Sequence, residues 1–219
     1  GIGVIMGFIG IAIGGFKFPN GAVDLTTMKA LHAEKKTVQI ADAFDKIEIA
    51  GASSMDIEIC KSKTGKNYVE YYDTDDWTSH VDVKDHVLKF TTDDKGTHKA
   101  IVSLGFGKDT AARLYLADAE YKEIAVTTLS GYVTIQDVNA GTVNVSASSG
   151  DIDLERCDAE GFDITTSSGD VDMEIAAGRM YRFETKTNSG DVDVPDGDAD
   201  SGYLCKIVTS SGDVDVKQK

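Results

Sequence analysis

The residues best suited to chemistry in this 219-residue chain are eight aspartates arranged in pairs. Asp151 and Asp153, Asp170 and Asp172, Asp191 and Asp193, and Asp213 and Asp215 each follow a Ser-Gly step, with Val or Ile between them. Side chains two apart on an extended strand leave the same face. Rows of such carboxylates could offer oxygen ligands to Ca²⁺, a hard cation. Paired carboxylates could also act as acid and base in glycoside hydrolysis. Acid and base need different surroundings to hold different pKa values, yet no pair here departs from the repeat. The Ca²⁺-binding nonapeptide pattern G-G-x-G-x-D is absent, because each corner carries a single Gly. The expectation is therefore a solvated outer face whose charge discourages sheet stacking. A weak Ca²⁺ ladder on these eight aspartates is the subsidiary reading.

Other reactive side chains form no constellation. His32, His80, His86 and His98 all precede the regular repeats and lack a metal-binding spacing such as H-E-x-x-H. His80 and His86 lie near Asp82 and Asp85, an ordinary surface cluster. Cys60, Cys157 and Cys205 are odd in number and far apart, so they read as small apolar residues rather than a disulfide framework or zinc site. There is no G-x-S-x-G, no P-loop and no dinucleotide fingerprint. No enzyme activity, cofactor or catalytic residue is expected.

The elements that position the aspartates are legible in the glycines. Gly131, Gly150, Gly169, Gly190 and Gly212 recur at spacings of 19, 19, 21 and 22. Two and four places after each Gly come apolar residues: Val133 and Ile135, Ile152 and Leu154, Val171 and Met173, Val192 and Val194, Val214 and Val216. Seven and five places before it stand pairs such as Ile124 and Val126, Val143 and Val145, Phe162 and Ile164. Period two means a strand with one buried face. A strand on each side of a Gly corner cannot bury that face alone, so coils must stack. The predicted fold is all-β: a parallel β-solenoid (β-helix), right-handed by the crossover preference, with coils of about 20 residues. Asp151, Asp170, Asp191 and Asp213 would then form one outer row, and Asp153, Asp172, Asp193 and Asp215 the next. Ile47, Ile49 and Ser53-Ser54-Met55-Asp56-Ile57 suggest an earlier coil with Met55 in the Gly place. Residues 68 to 116 alternate less regularly and read as larger coils or an antiparallel cap.

The first sixteen residues, GIGVIMGFIGIAIGGF, carry no charge. Gly3 and Gly7, then Gly10 and Gly14, show small-xxx-small spacing. This predicts an apolar helix over 1–18 acting as a transmembrane segment or signal anchor. A cleaved signal peptide and a buried glycine-rich element are the alternatives. A linker with a short helix over 19–43 and the β-domain over 44–219, regular from about 122, complete the division. Self-association through the N-terminal helix or the solenoid end is expected.

Acids outnumber bases 37 to 22, for a net charge of −15. From Gly150 to Lys219 there are 17 acids and 7 bases, or −10. Nucleic acid and anionic lipid headgroups are poor partners for such a surface, and cations or basic partners are favoured.

An apolar N-terminal segment, an Ile57-Glu58-Ile59 strand and C-terminal Ser-Ser-Gly-Asp-Val-Asp repeats together resemble the bacterial putative-adhesin family of β-strand repeat proteins. The resemblance runs from Phe44 to Lys219. It departs at Tyr132, which replaces the first Asp, and at Met55, which replaces Gly. It implies a non-catalytic cell-envelope protein, membrane-anchored with the domain extracellular, binding a protein or envelope polymer. An accessory or sensor protein of an envelope-stress pathway is the alternative, and a polysaccharide-active β-helix enzyme the third reading.

Overall fold

The computed structural model describes residues 34–51, 55–73, 77–94, 111–117 and 120–219. Among the described residues, sixteen strands form one sheet. The first seven are β1 (Glu34–Ile40), β2 (Lys46–Gly51), β3 (Ile57–Lys61), β4 (Asn67–Asp73), β5 (Trp77–Lys84), β6 (Val87–Asp94) and β7 (Ala112–Leu116). The repeats supply β8 (Glu120–Ser130), β9 (Val133–Gln136), β10 (Asn139–Ser149), β11 (Ile152–Ser168), β12 (Val171–Ile175), β13 (Tyr181–Lys186), β14 (Val192–Asp193), β15 (Tyr203–Val208) and β16 (Val214–Gln218).

The sheet has two walls. One runs β5-β6-β2-β8-β10-β11-β15-β13, the other β1-β4-β7-β3-β9-β11-β12-β16-β14. Strand β11 belongs to both: Ile152 to Glu155 pair in one wall, Gly161 to Thr165 in the other. Between them Arg156 takes φ 53° and the register shifts, which turns Cys157 inward. The walls enclose one core, built by alternation: Val143, Val145, Phe162, Ile164, Val171 and Met173 point in. Removing a side chain such as Ile164, fully buried, would cost about 2–5 kcal/mol.

The expected parallel solenoid is corrected in two respects. First, the pairing is mixed. Within the repeats, strands pair in parallel, with Val143 opposite both Ile124 and Phe162. At the N-terminal end β1–β4, β4–β7 and β5–β6 are antiparallel. Second, the coils do not stack in chain order. Strands β15 and β16 insert between β11/β12 and β13/β14, so the Gly212 corner lies between those of Gly169 and Gly190. The chain reaches this position by passing out through β13 and β14 and returning over residues 194–202, an irregular stretch. The result is an all-β, nearly closed, barrel-like wrap of mixed parallel and antiparallel strands rather than sequential solenoid coiling.

The membrane anchor is corrected as well. A crossing helix needs roughly 20 apolar residues. The described residues instead alternate polar and apolar along strands, and none of their helices is long and apolar enough to cross a membrane. The expected apolar helix at 1–18 and the linker up to residue 33 lie outside the described residues. Membrane anchoring, a cell-membrane location, a membrane partner and self-association through that helix therefore have no support in the described structure. What stands is the all-β domain.

Candidate functional site on the acidic wall

The repeat corner comes first, because it sets where each carboxylate goes. Gly150, Gly169 and Gly212 have φ of 113°, 130° and 145°, values that L side chains rarely adopt. A Cβ on Gly169 would meet the Gly150 carbonyl oxygen at 2.2 Å, and one on Gly212 the Gly169 oxygen at 2.1 Å. Each corner carbonyl thus abuts the next corner's Cα. The neighbouring Gly amides donate across the ladder, Gly150 to Ser168 O and Gly212 to Ser189 O, both at 3.0 Å.

The first aspartates of three repeats each accept the next corner amide. Asp170 N–H donates to Asp151 Oδ1 at 2.9 Å, Asp213 N–H to Asp170 Oδ1 at 2.8 Å, and Asp191 N–H to Asp213 Oδ1 at 2.8 Å. Tyr132 N–H donates to Asp56 Oδ1 at 2.9 Å. This row therefore runs Asp151, Asp170, Asp213, Asp191, not in chain order. Its carboxylates are structural: each of these rungs commits one oxygen to the backbone of a neighbouring coil. Sequence reasoning placed them on the outer face but missed this role. The signal available was the residue type, since Asp is the acid short enough to reach a backbone amide beside its own corner.

The second aspartates form a parallel row on the adjacent strands: Asp153 opposite Asp172, Asp172 opposite Asp215, Asp215 opposite Asp193. In the other direction the row continues through Thr134 to Glu58. Neighbours in such a row stand about 5 Å apart. Burial pushes the Asp153 carboxyl above the ordinary carboxylate range, and the charges of Glu155 and Asp172 add to it. Asp172 is raised in the same way, first by burial and then by Asp215 and Asp170. Lys217 pairs with Asp215 at 3.0 Å and Arg113 with Glu58 at 2.8 Å. Among the described residues no cation lies within ion-pair distance of Asp153 or Asp172.

Where Tyr132 and Thr134 interrupt the aspartate rows, the wall carries a depression of about 690 Å³. Asp56, Glu58, Asp151, Asp153, Glu155 and Asp172 line it, with Cys60, Gln136 and the exposed Tyr132. Six carboxylates thus face one open groove. They are strung along strands rather than gathered around a point. Among the described residues no group of three or more His, Cys, Asp or Glu is placed to hold a metal ion.

The remaining candidates lie elsewhere. His80 meets Asp93 at 3.1 Å on the exposed face of the β5–β6 hairpin, and His86 sits in its turn with φ 64°. His32 and His98 lie outside the described residues. Cys157 and Cys205 are buried and unpaired, and burial pushes both thiols up to about 12, so neither is a nucleophile at neutral pH.

Rows of β-strand repeats with an acidic outer wall define a repeat-built all-β domain. The family model Toastrack DUF4097 matches residues 44–219, and the chain belongs to that family. The domain is non-catalytic. Among solved structures, a putative cell adhesion protein from Clostridium sporogenes ATCC 15579 is similar at a TM-score of 0.62 and 15% identity, covering 87% of this chain and 100% of that one. A putative adhesin from Bacteroides fragilis NCTC 9343 is similar at a TM-score of 0.39 and 15% identity, covering 85% and 97%. The first of these likenesses supports the fold. No curated protein matches the chain.

Proposed function

We propose that the chain is a non-catalytic, adhesin-like β-domain that works by presenting its acidic wall to a cationic stretch of a macromolecular partner, protein or polymer. One observation carries the reading. Asp153, partly buried, and Asp172, exposed, stand beside other carboxylates in an open groove, with their pKa values raised and, among the described residues, no cation at ion-pair distance. Ionised carboxylates in that position gain from any cation that enters. An extended lysine- or arginine-rich segment fits better than a point ion, because the acids lie in rows at strand spacing. The groove is open to solvent and its rim Tyr132 is exposed, as a surface for a partner chain requires.

Retention on a panel of polymers tests this. Polylysine, heparin and a neutral glycan would be immobilised and the domain passed over each at low and high salt. Retention on polylysine alone, lost at high salt, is the expected result. Equal retention on the neutral glycan would overturn it.

A further inference from the structure

The C-terminal ribbon, β15 and β16 with their Gly212 corner, fills a slot between two coils. It pairs with β11 and β12 on one side and with β13 and β14 on the other. The outermost coil, β13 and β14, is joined in the sheet only through this ribbon among the described strands. The ribbon buries Cys205, Ile207, Val214 and Val216 almost completely, whereas Val192 of the outer coil remains 42% exposed.

The slot reads a pattern that the repeats share. On its inner lip Gly169 N–H donates to Ser211 O and Asp170 Oδ1 accepts Asp213 N–H, and on its outer lip Ser189 O accepts Gly212 N–H. Any segment reading Ser-Gly-Asp-Val-Asp satisfies both lips, and Ser211 to Asp215 of another copy is one. The tether is residues 195–202, PDGDADSG, irregular and exposed over 196–200. The ribbon also carries a weak point. Thr209 Oγ1 is buried without a hydrogen-bond partner, whereas the equivalent Thr166 and Thr187 hydroxyls bond Ser168 O and Gly212 O.

We propose that the ribbon from Tyr203 to Lys219 is an exchangeable element, and that its partner is a second copy of this chain. When the ribbon leaves its slot, the ribbon of another copy re-forms the same ladder there, and reciprocal exchange closes a dimer. The tether is the hinge. The same slot and donor in each copy also permit open chains of copies if exchange does not close.

A cross-copy disulfide tests this. Glu184 and Lys206 are opposite each other on β13 and β15, with side chains on the outer surface. On a Cys60→Ser background, chains carrying only Glu184→Cys are mixed with chains carrying only Lys206→Cys. The mixture is held near the urea midpoint at high protein concentration, then returned to buffer and oxidised. The expected product is a covalent mixed dimer on a non-reducing gel. A chain carrying both cysteines serves as control and closes its own disulfide. Absence of the mixed dimer while that control closes would overturn the proposal. A second variant deletes Asp198 to Ser201, so that the ribbon cannot return to its own slot. Its dimer fraction should rise roughly tenfold, as the local effective concentration of its own ribbon collapses. A deletion chain that stays folded and monomeric would also overturn it, and if it fails to fold, the disulfide experiment decides alone.

Discussion

Replacing Gly169 by Ala tests whether corner contact, and not backbone freedom alone, demands glycine. The comparison is Gly178→Ala. Gly169 has φ 130° and Gly178 φ 104°, so both substitutions force an L residue into a left-handed conformation. That cost is about 1–2 kcal/mol. A Cβ on Gly178 meets nothing within 4 Å, whereas one on Gly169 meets Gly150 O at 2.2 Å and Gly150 C at 2.6 Å. Those are backbone atoms and cannot rotate aside. The coils must part by roughly an ångström, which weakens three bonds: Gly150 N–H to Ser168 O, Ile152 N–H to Asp170 O, and Asp170 N–H to Asp151 Oδ1. At about 1 kcal/mol for each, Gly169→Ala should cost about 3–5 kcal/mol against about 1–2 for Gly178→Ala. In a domain of this size that is on the order of 10 °C in Tm against a few degrees. Urea unfolding followed by circular dichroism gives both values. Equal destabilisation by the two variants would refute the contact argument.

Other consequences follow from the same geometry. Asp170→Ala should cost about 1–2 kcal/mol by leaving the Asp213 amide unpaired, while Asp170→Asn, which keeps Oδ1 as an acceptor, should lie close to the parent in urea melts. Asp172→Asn should stabilise by about 0.5–1 kcal/mol, since Asp153 and Asp215 stand about 5 Å away and repel it through water. The pH dependence follows with its sign. Asp153 and Asp172 are raised above 3.8, so the folded state binds their protons more tightly, and their contribution to stability grows as pH falls from neutrality toward that value. Asp45 and Asp137, lowered by hydrogen bonds to Lys122 and Arg156, act oppositely, and their contribution is lost as pH falls below 3.8. Asp153→Asn with Asp172→Asn should therefore flatten the gain in Tm between neutral and mildly acidic pH. Millimolar Ca²⁺ should leave Tm unchanged, because the first-row carboxylates bond corner amides and the second row does not converge.

Much of this arrangement is written in the sequence. The 19-residue spacing of Gly131, Gly150 and Gly169 is the register in which Val143 faces Ile124 and Phe162. The alternation of Val, Ile and Met with Asp separates core from wall. The coil order was harder to read, because the Gly190 and Gly212 repeats look interchangeable at their corners. Two clues were present. The spacings lengthen to 21 and 22, which gives the chain slack to turn back, and the Gly190 repeat carries Thr185 where its neighbours carry Val145, Ile164 and Ile207. A polar residue in an inward place suits the outermost coil. The antiparallel strands at the N-terminal end follow no repeat, so periodicity says only that they are strands. The groove was not legible, because it arises where Tyr132 and Thr134 replace two aspartates, a departure that reads in sequence as a weakened repeat. The apolar run before Lys17 predicts a helix from composition alone, and it lies outside the described residues.

The acidic wall as a surface for cationic partners is tested most directly by titrating decalysine into the domain and into its Asp153→Asn/Asp172→Asn variant by calorimetry, at two salt concentrations. Loss of two groove charges should weaken binding roughly fivefold or more, and added salt should weaken it for both proteins. Binding that is unchanged by the double substitution, or no binding to the parent domain at low salt, would contradict the assignment.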